Sequence, residues 1–279
     1  MLSNSKFTFW LKMALSALFA SHGTLAYLAS NNFASEWRMW FVVLFPALAA
    51  STVGWILKSI FVLDLIVAAA IWFPKTSRYI IFWALFWTTM TAVLRVIVYW
   101  APDPVLAAKA IGEMLKRTLN VGGTFALLLM LYPQLSSRLR GAWGSPSFIL
   151  RFSMVFWFIG KGLVEFEEQK DLMHAMIHYP FVSNLESISW IPYAFFFFAF
   201  ISYLLYFVAP SYLRFKSSGL LIWLVMVLSF IPEVIVWTQG RPFWIMAIEH
   251  INIFIVFELA NQVESLEKKR TERLSLSFQ

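Results

Sequence analysis

Phe9-Trp10-Leu11-Lys12 through Phe19-Ala20-Ser21-His22-Gly23 is a largely apolar run with a cation near its start and a histidine ten residues later. The same order returns 139 residues on, as Phe148-Ile149-Leu150-Arg151 through Phe158-Ile159-Gly160-Lys161-Gly162. At an offset of 138, Leu94-Arg95-Val96-Ile97-Val98 lies over Pro232-Glu233-Val234-Ile235-Val236. At 132, Arg117-Thr118-Leu119-Asn120-Val121 lies over Glu249-His250-Ile251-Asn252-Ile253. Single apolar helices align by chance, whereas three matches in chain order point to a duplicated unit.

The solvent for such a chain follows from its composition. Of 279 residues, 60% are hydrophobic and 13% charged, with a mean hydropathy of +0.71. A soluble surface needs roughly twice that share of charge. A bilayer core about 30 Å thick takes roughly 20 apolar residues per helix, and such stretches run at about 8–30, 54–73, 79–100, 117–135, 148–164, 190–209, 218–238 and 243–261. The expected fold is therefore all-α, a polytopic membrane protein with about eight transmembrane helices in two parallel four-helix repeats. An even helix number keeps both halves in the same orientation. The first repeat is expected over 1–140, the second over 141–262, and a charged cytoplasmic tail over 263–279. Residues 39–53 are apolar without a polar break before the next span and read as interfacial or re-entrant.

Counting Lys and Arg by side, with the N-terminus inside, puts thirteen inside (among them Lys75, Arg78, Arg138, Arg140, Lys268 and Lys269) and six outside. Both termini are thus expected on the cytoplasmic face of a plasma membrane of the bacterial inner-membrane type. Residues 1–30 read as a retained helix, because the segment has a downstream counterpart; a signal peptide is the alternative. The formal charge of +7 reads as a topology signal toward anionic lipid, so membrane lipids are expected partners and nucleic acid is not. With no cysteine, disulfide and thiol chemistry are excluded.

A basic residue near the inner end of the first helix followed by Phe-x-x-His-Gly (Lys12, then Phe19 to Gly23) resembles the DoxX-like family of four-helix membrane proteins. The resemblance extends to a fourth helix entered by Glu113 and carrying Asn120. It covers the second half loosely, with Lys161 in place of the histidine. It implies a membrane subunit or accessory of thiosulfate:quinone oxidoreductase or of redox-stress complexes, or a handler of lipid or other cargo. The lack of cysteine departs from the redox-associated members and leaves no dithiol relay.

Ionisable groups within spans cost several kcal/mol if they face lipid, so each is a candidate site residue. His22, Lys58, Arg95, Lys161, Glu233, Glu249, His250, Asn120 and Asn252 are expected to collect in the outer half, lining an outward-facing polar cavity between the repeats. Asp64 and Glu258 stand apart from that set. Arg95 is the repeat counterpart of Glu233, and Arg117 of Glu249, so opposite charges at related positions are expected to pair across the interface. An interhelical packing network and a ligand site both fit these residues, and for His22 a satisfied helix contact competes with a proton-accepting role.

Glu167, Asp171, His174 and His178 share a helical face, as half a zinc site would. The opposing stripe of Leu172, Met173, Met176 and Ile177 favours instead an amphipathic helix lying on the outer surface. His22 and His250 could serve a haem, although no attachment motif accompanies them. Many of the 14 Trp, such as Trp55, Trp72 and Trp100, fall near span ends, as interfacial anchors do. No phosphate-binding loop, hydrolase or kinase motif is present, so a binding or accessory role is expected rather than catalysis. The expected ligand is a lipid or quinone-like amphiphile, held alongside another membrane or extracytoplasmic protein. The alternatives are a secondary transporter or channel for a small solute, and a membrane subunit of a quinone-linked oxidoreductase.

Overall fold

The computed structural model describes residues 2–32, 36–99, 104–139, 141–177, 191–204 and 208. Among them there is helix and turn but no strand: α1 Leu2–Asn31, α2 Glu36–Leu44, α3 Ala50–Ala70, α4 Pro74–Tyr99, α5 Pro104–Leu115, α6 Thr118–Leu131, α7 Pro133–Arg138, α8 Pro146–Ile177 and α9 Ile191–Tyr203. Four of these (α4, α5, α7 and α8) open on proline. Its ring presets helical φ at a position whose N–H has no intrahelical acceptor.

Among the described residues, three helices are long and apolar enough to cross a membrane: Ala50–Ala70, Pro74–Ile97 and Pro146–Val164. They coincide with three of the expected spans. α1 has 30 residues, about 45 Å of rise, but Lys12, Ser16, Ser21, His22 and Thr24 make it more polar. Within its span α8 is 72% buried, against 33% for α3 and 39% for α4, so α8 is the most enclosed of the three. Trp55, Val62, Ile66, Phe82, Phe86 and Ile97 remain exposed on α3 and α4, where lipid suits them as water does not.

α1 and α3 run antiparallel in close contact. Their register is carried by Gly54 against Ser30, Gly23 against Phe61 and Asp64, Ser16 donating its hydroxyl to the Ala68 carbonyl at 2.8 Å, and Phe9 edge-on to Trp72. α2 is nine residues, about 14 Å, too short to cross. The buried Arg38 holds it in place, donating to the Ser30 carbonyl at the end of α1 (2.8 Å) and the Ala50 carbonyl at the start of α3 (2.6 Å). The expected polar connection after α3 is tighter than a loop. Lys75 to Arg78 form the first turn of α4, and the Thr76 hydroxyl donates back to the Ala70 carbonyl.

Two parts differ from the sequence reading. The span expected at 117–135 is the second piece of a broken leg: α5 and α6 both pack along α4 and α8, with a turn at Lys116-Arg117 between them. α6 alone has 14 residues, about 21 Å, and Pro133 ends it. The segment carrying Glu167, Asp171 and His174, read from sequence as an amphipathic helix on the outer surface, is helical and continues α8 without interruption to Ile177. No glycine or proline follows Gly162 within it, so nothing in the backbone stops the helix.

Residues 218–261 and the tail lie outside the described residues, as do Glu233, Glu249, His250, Asn252 and His178.

Candidate functional site

Close helix packing assembles the site. A Cβ on Gly23 would stand 3.0 Å from the Asp64 Cβ and 3.1 Å from the Phe61 carbonyl oxygen, so a side chain here would press α1 and α3 apart by a few tenths of an ångström. The neighbouring His22 then places Nδ1 3.2 Å from Asp64 Oδ2. Asp64 is completely buried, fourteen residues from the start of α3 and six from its end. Among the described residues its other oxygen, Oδ1, has no hydrogen-bond partner.

A second close approach forms the break in the return leg. A Cβ on Gly160 of α8 would lie 2.5 Å from the Lys116 backbone nitrogen and 2.7 Å from the Gly112 carbonyl oxygen. The Thr118 hydroxyl sits 2.7 Å from the Leu115 carbonyl, which the end of α5 leaves open, and 2.7 Å from the Ser153 carbonyl of α8. Beside this turn Glu113 accepts from two cations. Arg95 of α4 donates to Oε2, and Lys116 donates to Oε1 at 2.8 Å. Arg95 and Glu113 are both buried.

The two groups are linked through α6, which packs against α1 as well as against α4 and α8. Lys161, also buried, follows Gly160 on α8, against the same turn. Asn120 lies half-buried in the first turn of α6, and its carbonyl accepts from the Thr124 hydroxyl. Thus α1, α3, α4, α5, α6 and α8 all bring polar groups to this part of the bundle.

Of the sequence candidates, His22, Arg95, Asn120 and Lys161 fall in this region. Lys58 does not join them, its Nζ lying 5.0 Å above the ring of the exposed Trp55. Glu167, Asp171 and His174 lie on α8, and among the described residues no three His, Asp or Glu side chains gather as a metal site. Asp64, set apart by the depth argument, is the partner of His22. Its signal was present in Phe61-Val62-Leu63-Asp64-Leu65-Ile66-Val67, where a lone carboxylate interrupts an apolar helix. Arg95, expected to face Glu233, has Glu113 as its carboxylate among the described residues.

Comparison of the chain with protein-family models, with curated proteins and with solved structures gives no match.

Proposed function

We propose that this chain is a non-catalytic integral membrane protein of the DoxX-like kind, holding an amphipathic ligand of the quinone or lipid class against its buried polar cluster. In this reading it acts as an accessory or partner-binding subunit in a plasma membrane of the bacterial inner-membrane type, with both termini cytoplasmic. One observation carries the reading: His22 with Asp64, and Glu113 with Arg95 and Lys116, are turned inward within a bundle whose outer helix faces are apolar. Buried ion pairs rarely improve on apolar packing, so such a cluster is costly to keep for architecture alone. The duplication into 1–140 and 141–262 gains support from one parallel. Gly23, after His22, packs on α3, and Gly162, after Lys161, packs on Phe196 of α9.

A secondary transporter is the second reading, and the break at Lys116-Arg117 favours it, since interrupted helices build substrate sites in transporters. Mass spectrometry of the intact protein, extracted gently and then with Arg95→Gln, separates the two. Retained quinone or lipid that the variant loses supports the holding role. An empty protein that carries a solute across vesicles would replace it with transport.

A further inference from the structure

The geometry points to His22 and Asp64 as a proton-binding pair inside the membrane bundle, sharing one exchangeable proton across Nδ1 and Oδ2, with Asp64 Oδ1 as its second resting place. This rests on the reading of the buried cluster as functional, and it assigns to that cluster a ligand of its own, the proton.

The first argument is the unsatisfied oxygen. A buried carboxyl oxygen without a partner loses its hydration with nothing in return, and Oδ1 of the fully buried Asp64 is such an atom among the described residues. The second is the packing. The Gly23 contact with the Asp64 Cβ and the Phe61 carbonyl locks α1 and α3 together at this level, which favours a ligand needing no volume. The third is depth. Asp64 is about 21 Å along α3 from its start and about 9 Å from its end, inside the span rather than at its rim.

Charged groups on the elements around the pair set its surroundings. α4 contributes Arg95, neutralised in part by Glu113 of α5, and the α5–α6 turn contributes Lys116 and Arg117. Lys161 belongs to α8, and Arg38 of α2 is committed to backbone carbonyls at the far end of α1. With Nδ1 and Oδ2 3.2 Å apart, the proton belongs to the pair rather than to either residue.

Proton uptake by the full chain in nanodiscs, titrated from about pH 3 to 9 so as to span the ordinary carboxyl and imidazole ranges, tests the pair. Asp64→Asn and His22→Gln are each expected to lose about one proton per chain, and the double variant no more than either single. Losses that add, or no loss in either, would overturn the pair. Should Asp64→Asn fail to fold, carbon-13 aspartate infrared spectra supply the answer in a chain carrying Asp103→Asn and Asp171→Asn, which removes the other aspartates. A carboxyl band that changes with pH and shifts in His22→Gln supports the pair; a band indifferent to both removes it. Quinone and lipid retention on the same samples reads the holding role separately, so either idea can fail alone.

Discussion

Arg95 and Glu113, eighteen residues apart, join the far end of α4 to the return leg through a buried ion pair that Lys116 completes. Removing one partner strands the other charge. Arg95→Ala is therefore expected to destabilise the protein by about 3–5 kcal/mol. Arg95→Gln with Glu113→Gln should lose much less than the two single changes together. Unfolding in mild detergent measures all four proteins, and strictly additive losses would show that the two groups do not act as a pair.

The identity of that pair marks where sequence reading ends. Spans α3, α4 and α8 are legible because a long apolar run has few alternatives in a membrane. The break at Lys116-Arg117 is not, since neither residue is a helix breaker and the interruption is set by α8 pressing Gly160 against the Lys116 backbone. Arg95 was visible as a costly charge, yet its partner follows from where α5 turns back along α4. Asp64 and His22 are separated by 42 residues. Their meeting depends on the α1–α3 register, which is set by glycine and serine contacts between the helices that become visible only once the two are paired. The unbroken course of α8 past Val164 was obscured for a different reason: an amphipathic stripe specifies a helix but not whether it is continuous with its predecessor.

Glycine at 160 is a packing requirement. Its added Cβ would meet backbone atoms of α5 and the turn at 2.5–2.7 Å, which cannot rotate away. Gly160→Ala is expected to cost about 1–3 kcal/mol and to loosen the Glu113 cluster. Gly123→Ala is the control, its Cβ meeting only Leu15 at 3.6 Å and Leu11 at 4.0 Å. It should be neutral or stabilising by up to about 1 kcal/mol. Thermal unfolding of the two variants side by side decides, and equal behaviour would discount the close approach.

Arg38 ties α2 to the ends of α1 and α3. Arg38→Ala removes two charged hydrogen bonds to backbone carbonyls, each worth about 1.5–3 kcal/mol when intact. The expected result is faster protease cleavage between 32 and 50, with the transmembrane fragments otherwise preserved. Arg38→Lys keeps the charge but not the fork that reaches both Ser30 and Ala50, so it should fall between. Cleavage rates identical to those of the unaltered chain would mean that the clamp does not hold α2.

The absence of cysteine makes the topology directly measurable, because any introduced thiol is the sole one in the chain. The Tyr132 hydroxyl donates to the Arg78 carbonyl at 2.7 Å, placing the end of α6 beside the start of α4. Thr76 and Ser137, both exposed, therefore lie at one end of the bundle. Ala47, exposed before α3, lies at the other, with α3 between it and Thr76. In intact cells a membrane-impermeant maleimide is expected to label Ala47→Cys and to spare Thr76→Cys and Ser137→Cys until the membrane is opened. That expectation comes from the basic residues Lys75, Arg78 and Arg138 beside the latter two, under the positive-inside bias. Labelling of all three from one side would remove α3 as a span. The mirror pattern would keep the span and reverse the orientation, taking the cytoplasmic assignment of the termini with it.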